Sequence, residues 1–589
     1  MISMTHLEIR KKFLDFFSAK GGPATGGKHV IVPSSSLVPD DPSVLLTTAG
    51  MQQFKPYFTG DADPIKDFDS KNTISIQKSF RTSDIDEVGD ETHLTFFEML
   101  GNFSFGGYFK KDAITWAHEF ITKELELEID YITVFGGADR AGEKISYDEE
   151  SEKVWRSLGI SDIHVMGLED NFWGPTGNEG PCGPTTEIYA GGTEIWNIVF
   201  NEFYCKPDGS LENLKTPGVD TGMGLERLLA VLQKKNNIFE TDLFVPLMAK
   251  MSKDLPIRVR RIIADHVRAT VFLLSDGVRP SNKETGYILR RLIRRSATHA
   301  ERYRFAPDFL EELAKTVMEI FESVYPELKK NRNEILNELR RELEKFSRTL
   351  KGGLRALDVM VKKKKGISGK EAFDLYQSYG LPPDVLGDVL KEKSLSFDPK
   401  EFEAEFKKHQ NKSKEGQEKK FGGHGLILDT GELKAETLEE VKKVTRLHTA
   451  THLLQAALRK IFGPEVRQMG SDITARRLRF DFTFGHKLTI DELKKVEDLV
   501  NDVIAKDLSV IMEEMDYRKA KEQGALSFFK LKYPKRVKVY SVEEESGVFS
   551  RELCGGPHVK KTGEIEKFII TKEESVASGV RRIRATVEP

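Results

Sequence analysis

Cysteine is almost missing from this chain of 589 residues: Cys182, Cys205 and Cys554 are the whole set. Three thiols cannot build a disulfide framework, which excludes a small stapled secreted fold. They fit a reducing compartment, where a special cysteine serves as ligand or nucleophile. No apolar run reaches the ~20 residues a membrane helix needs. The N-terminus, MISMTHLEIRKKFLDFF, is charged and amphipathic, unlike a secretory signal. An excess of one charge is missing too. Ninety Lys and Arg against 93 Asp and Glu leave a formal charge of −3, so the chain as a whole is not a basic coat for nucleic acid. A soluble cytoplasmic protein without a membrane contact is expected. The length predicts three or four domains, each able to bury its own core.

What is there begins with QKSFRTSDIDEVGDETHLTFFEMLGNFSFGGYFK, from Gln77 to Lys110. It reads as a strand, a polar loop and a Phe-rich return strand, ended by Gly101-Asn102 and Gly106-Gly107. Arg81 and the Phe-Phe-Glu-Met strand supply a cation and an aromatic wall, which suits a nucleotide; a plain core hairpin is the simpler alternative. Ahead of it a helix is expected over 5–18, and a short buried strand over Val44–Thr47 turning at Ala49-Gly50. Gly22, Gly27 and Lys28 imitate a phosphate loop. His29 stands where Ser or Thr should hold magnesium and no strand precedes, so the motif is rejected. A long Gly/Pro loop, DNFWGPTGNEGPCGPTTEIYAGG, leads to the strand Ile195–Phe200, and such loops are usually functional. VDTGMGLERLLAVLQ then ends a strand and opens a helix. To about residue 245 the chain reads as α+β.

From Leu255 to about residue 365 the pattern is helical with few breakers. Arg290, Arg291, Arg294 and Arg295 share a turn and a half, bracketed only by Glu284 and Glu301. An RNA-backbone face and an ordinary solvated face are both open. Residues 407–425 are Lys-rich, polar and Gly-ended, as in a linker. A compact α/β unit follows.

That last unit holds the sharpest chemical signal. His448 and His452 are i,i+4 on a helix, and Cys554 and His558 share a Gly-Gly-Pro turn. Three imidazoles and a thiolate make the tetrahedral set that a zinc ion prefers. The ion would be structural if the four residues close around it, catalytic if one position opens. In the first part, Arg81 and Arg227 could clamp a triphosphate, with nearby carboxylates holding magnesium. Asp220, at a glycine-flanked strand end, suits an ammonium group. Trp173, Asn197, Val199 and Met99 would shape a small, mostly apolar pocket with one amide. Singly, each could be core packing.

The segments LLTTAGMQQFKP, RTSDIDEVGDETHLTFFEMLGNFSFGGYFK, GPCGPTTEIY, EIWNIVF, VDTGMGLERL, IADHVRATVFLLSDGVRPSNKETGYILRRLIRRS, HTATHLL and CGGPH occur in order. Together they resemble the alanyl-tRNA synthetases over nearly the whole chain. The resemblance implies an α+β multidomain protein: a class II synthetase antiparallel sheet with flanking helices, a helical tRNA-recognition domain and an α/β zinc-binding editing domain. The implied boundaries are 1–246 for aminoacylation, 247–404 for tRNA recognition, 405–430 for a linker and 431–589 for editing.

It also implies an ATP-dependent alanine–tRNA ligase. Arg81 and Arg227 would hold the phosphates of ATP with Mg2+, and Phe97 would wall the adenine. Asp220 would take the ammonium of L-alanine, with Met99, Trp173, Asn197, Val199 and Gly222 shaping a methyl-sized pocket. Asn282 matches the family's reader of the acceptor-stem G·U pair in tRNA(Ala). Gln377 stands where its partner is usually Asp, and an amide can both donate and accept. Arg290 and Arg294 would face the RNA. The zinc unit resembles the editing domain that hydrolyses seryl- and glycyl-tRNA, with His448, His452, Cys554 and His558 as ligands and Gln468 in the pocket. A site sized for methyl discriminates poorly against one hydroxyl or one missing methyl, which makes a second hydrolytic site physically sensible. Departures are the lack of a Gly-rich segment before the editing helix, Pro557 where Thr is usual, and an end at Arg584–Pro589. The last suggests a monomer. Two other readings are a non-catalytic tRNA-binding paralogue and an editing-only deacylase. The intact Arg81, Asp220 and Arg227 weigh against the first, and the complete N-terminal half against the second.

Overall fold

The computed structural model describes residues 4–41, 44–140, 143–363, 367–391, 393–408, 426–428, 431–433, 438–526, 536–545, 547–577 and 580–588. Most of the expected linker, 405–430, lies outside them. Residue contacts gather into two compact units, 1–406 and 407–589.

The first unit opens on helix α1 (His6–Ala19). Thr5 caps it: Glu8 N donates to the Thr5 hydroxyl, and the Glu8 carboxylate accepts from Thr5 N at 2.7 Å, a reciprocal capping box. Ile9, Phe13 and Phe17 recur at helical spacing and are fully buried. They cover one face of a sheet built from β1 (Val30–Ile31), β2 (Asn72–Phe80), β3 (Phe96–Ser104), β4 (Tyr131–Phe135), β5 (Ile163–Met166), β6 (Gly180–Ala190), β7 (Thr193–Cys205) and β8 (Leu211–Gly224). The spatial order is β1-β2-β3-β8-β7-β6-β4-β5, with Phe172–Trp173 added beside β6. The six inner strands are antiparallel, and the two outermost pairings are parallel.

Two expectations change here. Val44–Thr47 forms no strand: Leu45 is 52% exposed while Leu46 is buried. The segment is tied by single hydrogen bonds, Phe80 N to Thr47 O and Thr47 N to Leu37 O, before a turn of 3-10 helix at Gly50–Phe54. Gly101-Asn102 does not end the return strand but lies inside it. A Cβ at Gly101 would stand 2.6 Å from the Thr221 carbonyl oxygen. Glycine is therefore what lets β3 lie close to β8, a strand-interior role rather than a turn.

Helix α2 (Leu225–Leu232) starts directly from β8. The helical stretch follows with α3 (Ile257–Ser275), α4 (Glu284–Arg302), α5 (Arg332–Lys363), α6 (Gly369–Tyr379) and α7 (Pro383–Lys391). One hydrophobic core runs from Ile9 through the sheet to Leu339, so sheet and first helices are packed as one body.

The second unit pairs α8 (Leu438–Phe462) and α9 (Ile490–Ala505) with two sheets. Strands β9 (Gln468–Thr474), β10 (Arg477–Thr483), β14 (Lys567–Ala577) and β15 (Val580–Glu588) join in the order β9-β10-β15-β14. β11 (Val510–Asp516), β12 (Arg536–Glu544) and β13 (Gly547–Leu553) form the other. Their shared core takes Leu447, Leu453 and Leu454 from α8 and Phe480 and Phe482 from β10. Among the described residues no helix is long and apolar enough to cross a membrane.

Candidate functional sites

Strand alternation builds the first site. Side chains along a strand point alternately to the two faces, so Trp196, Ile198 and Phe200 of β7 go into the core while Asn197 and Val199 face the other way. On β3, Phe97 and Met99 share that face, and on β8 so do Asp220, Gly222 and Gly224. The register sets Val199 opposite Asp220, Asn197 opposite Gly222 and Met99 opposite Gly224. Arg81, where β2 ends, and Arg227, in the first turn of α2, enter from the rim, and Trp173 from the strand beside β6. All nine of these expected residues line one cavity of about 720 Å³.

The cavity is charged, with Arg81 and Arg227 facing six carboxyl groups, Asp84, Asp170, Glu187, Glu194, Asp220 and Glu226. Arg81 lies 5.0 Å over the Phe97 ring, and Arg227 Nη1 meets Glu194 Oε2 at 2.7 Å. Asp220 is 5% exposed, and burial pushes its carboxyl up to about 8. Such a group is poised for a buried cation. Asn197 Nδ2 donates to Glu187 Oε1 at 3.1 Å. Burial, and then the Glu194 charge, raise Glu187 to about 7. Gly50 N points to Met99 Sδ at 3.2 Å, and a Cβ at Gly222 would stand 2.9 Å from that sulfur. The wall beside Asp220 is thus closed to within one carbon. Sequence reading missed His93, Glu187, Glu194, Asp84 and Asp170, which also line the cavity. Glu187 could have been found, since it precedes Asn197 across a tight hairpin; His93, in a polar loop, carried no such signal.

The arginine row of α4 needs correction. Arg290 Nε and Arg294 Nε both donate to Glu342 Oε1 of α5 at 3.0 Å. Arg290 also donates to Asn282 Oδ1 and, at 3.0 Å, to Pro280 O. Arg294 donates to Gly380 O at 3.2 Å and lies 4.8 Å over the Phe346 ring. Arg290 and Arg294 are therefore not a free face for RNA phosphates. The carboxylate they share comes from a helix some fifty residues away in sequence, where no local charge pattern could reveal it. The pair instead braces Asn282 and ties α4 to Gly380, just past α6, whose Gln377 is exposed.

In the second unit, His448 and His452 on α8 meet Cys554 and His558 from the turn after β13. One ligand atom from each lies within 4.8 Å of all the others. Cys554 Sγ is 3.3 Å from His448 Nε2. The rings are held from outside: His448 Nδ1 meets Pro557 O at 3.2 Å, and His558 Nδ1 meets Thr449 Oγ1 at 3.1 Å. His558 Nε2 is left buried without a hydrogen-bond partner. Burial lowers His448 to about 4, and His452 and His558 well below their ordinary value. Neutral imidazoles with inward-facing nitrogens are the form that binds a metal, so these residues fit a tetrahedral ion. Burial pushes the Cys554 thiol up to about 11, a shift a central cation would oppose. A Cβ at Gly556 would come within 2.1 Å of the His448 ring, so only glycine admits this turn.

Two groups beside the cluster were not anticipated. Glu552 is directly opposite Tyr540 in the sheet, its Oε2 is 3.7 Å from His452 Nε2, and burial raises it to about 8. The Tyr540 ring lies 4.1 Å from that of His558. Gln468 sits at the start of β9, its amide donating to Ser471 Oγ at 3.0 Å.

A family model of class II (A) tRNA synthetases matches residues 8–468. A second, the threonyl and alanyl tRNA synthetase second additional domain, matches residues 537–584. An alanine–tRNA ligase of Borrelia hermsii is 43% identical over 616 aligned positions, covering 98% of this chain and 99% of the relative. That of Treponema pallidum is 42% identical, covering 99% and 98%. The longer enzyme of Dehalococcoides mccartyi is 36% identical over 98% of this chain and 79% of its own. With relatives this similar from end to end, the chain belongs to the alanine–tRNA ligase family of class II tRNA synthetases.

Proposed function

We propose that the chain is an alanine–tRNA ligase: it activates L-alanine with ATP and transfers the alanyl group to tRNA(Ala). It also hydrolyses seryl- and glycyl-tRNA(Ala) in its second unit. The observation that carries the first part is the meeting of Asp220, Arg81 and Arg227 in one cavity. The alanine ammonium pairs with Asp220 and gives that buried carboxylate the cation it lacks. The methyl group lies among Met99, Trp173, Val199 and Gly222, and Asn197 presents its amide at the rim. Arg81 and Arg227 hold the phosphates, Arg227 exchanging Glu194 for them, and Phe97 flanks the base. Carboxylates such as Glu187, Glu194 or Asp170 would hold magnesium, which would neutralise phosphate charge. The alanine carboxylate then attacks the α-phosphorus and pyrophosphate leaves. The terminal ribose hydroxyl of tRNA displaces AMP in the second step. No side chain needs to become covalently attached, because positioning and charge supply the catalysis.

Residues 1–246 perform aminoacylation, 247–404 recognise the acceptor stem through Asn282 and Gln377, and 431–589 edit. His448, His452, Cys554 and His558 would hold zinc, which would supply a fixed positive charge for the misplaced amino acid. The four side chains hold it, Thr449 and Pro557 orient two of the rings, and Gln468 belongs to the same pocket. The cytoplasm is where such an enzyme meets its tRNA.

The test is alanine-dependent exchange of pyrophosphate into ATP by the purified chain. Exchange with alanine is expected, and its absence would refute the ligase reading. A related result concerns pocket size. Gly222→Ala places a methyl 2.9 Å from Met99 Sδ, in the space the substrate methyl needs. Alanine KM is expected to rise roughly tenfold or more, as for other overpacked sites, with ATP KM unchanged within about twofold. Equal changes in both constants would contradict the pocket assignment.

A further inference from the structure

The loop joining β2 to β3, residues 81–95, carries Arg81, Asp84, Thr92, His93 and Leu94 into the ATP cavity. It is held from the helices. On α3, Arg258 Nη2 donates to Asp86 O at 3.3 Å and Arg261 Nη1 to Gly89 O at 3.4 Å. Asp265 accepts twice from Thr95, from N at 2.9 Å and from Oγ1 at 2.6 Å. On α4, Arg291 meets Asp86, and Arg295 Nη1 donates to Ile85 O at 2.6 Å. The Asp265 carboxylate meets His266 Nδ1 at 2.9 Å, and His266 Nε2 meets Arg295 Nη1 at 3.3 Å. Arg295 continues to Asp388 of α7 at 2.8 Å. The chain Thr95–Asp265–His266–Arg295–Asp388 is thus unbroken, and Asp265, His266 and Arg295 are buried almost completely.

Burying these charges is costly unless every one is satisfied. Here they are satisfied by one another, by Asp388, and by the two ends of one loop. Thr95 is the critical link, because its carbonyl accepts from Arg81 N at 2.9 Å. Whatever sets Thr95 sets the backbone that aims the Arg81 guanidinium. Ile85, at the other anchor, is the neighbour of Asp84.

We propose that Asp265 and Arg295 are positioning residues of alanine activation: through Thr95 and Ile85 they hold the 81–95 loop in register over the ATP phosphates. The proposal rests on the ligase reading above. Neither residue lines the cavity, so their effect falls first on ATP, through the loop, rather than on the alanine pocket, whose Val199, Asp220 and Gly222 stand on β7 and β8.

Thr95→Val removes only the hydroxyl donor to Asp265 at constant volume. Thr95→Ser keeps the hydroxyl, and Arg295→Lys keeps the charge without the planar fork. KM for ATP and for alanine are measured separately in pyrophosphate exchange, with the melting temperature of each variant. Thr95→Val and Arg295→Lys are expected to raise ATP KM about tenfold, a usual size for one coupling between sites. Alanine KM should move less than about twofold, and Thr95→Ser should restore the parent value. The double variant should lose little more than the worse single one, since both break one chain. ATP KM within about twofold of the parent in the folded variants would overturn the proposal. So would alanine KM rising in step with it, which a merely structural role would produce. If Thr95→Val does not fold, Arg295→Lys decides alone. A parent chain without exchange would instead count against the ligase reading.

Discussion

Asp220→Asn is expected to lower kcat/KM for alanine in pyrophosphate exchange by about 10²- to 10⁴-fold. Removing one member of a buried charge pair costs about 3–5 kcal/mol, and each 1.36 kcal/mol is about a factor of ten. Asparagine keeps the shape of the strand but leaves the alanine ammonium buried without a counter-ion. The parent should also show a characteristic pH profile. Burial raises the Asp220 carboxyl to about 8, so in the free protein it is neutral below that pH. An ammonium ion needs the carboxylate, hence kcat/KM for alanine should climb from pH 6 and level off above about 8. About one proton should leave the protein per alanine bound at pH 7. Glu187 titrates in the same cavity, near 7, and the Asn variant separates the two. Any slope due to Asp220 vanishes in it, and a slope due to Glu187 remains. An Asn variant within about tenfold of the parent would remove Asp220 from the ammonium role.

Cys554→Ala is expected to abolish bound zinc and to slow seryl-tRNA(Ala) hydrolysis by roughly a hundredfold or more, the scale of the several kcal/mol a catalytic ion contributes. Alanine activation by the first unit should be unaffected. Zinc content per chain, measured beside the deacylation rate, separates loss of the ion from loss of fold. Treatment with a chelator should reproduce the defect in the parent, and added zinc should reverse it there but not in the variant. Gly556→Ala offers the same result by another route, because its Cβ would enter the His448 ring. If Cys554→Ala hydrolyses seryl-tRNA as fast as the parent, the editing assignment of this cluster is wrong. If zinc stays bound without Cys554, the ligand set is wrong.

Much of both sites was legible in the residues. His448 and His452 announce themselves because i,i+4 spacing is a local property of a helix, and CGGPH because glycine and proline fix a turn locally. Asp220, Asn197 and Val199 were read from the flanking glycines and the family resemblance, and alternation along β7 and β8 explains why they share a face. The strand limits were less legible. Gly101-Asn102 looks like a stop by turn chemistry, but the approach of β8 at Thr221 makes glycine an interior requirement there. Val44–Thr47 looks apolar enough for a strand, yet makes only isolated backbone hydrogen bonds, such as Phe80 N to Thr47 O, and no ladder.

By itself the sequence made most element types, the His448–His452 helix pair and the Cys554–His558 turn legible, since each depends on spacing within a few turns, while the candidate catalytic residues came from the resemblance of the whole chain to a family. Only the tertiary structure decided what the charges do. Arg290 and Arg294 read as either an RNA-backbone face or a solvated one until Glu342 reached them from α5. Arg295 read as one more member of that row, and Asp265 carried no signal, until the fold set them against Ile85 and Thr95. The physical reason is common to both. A charge is defined by what lies within a few ångströms of it when water is excluded, and those neighbours come from helices and loops that are distant along the chain.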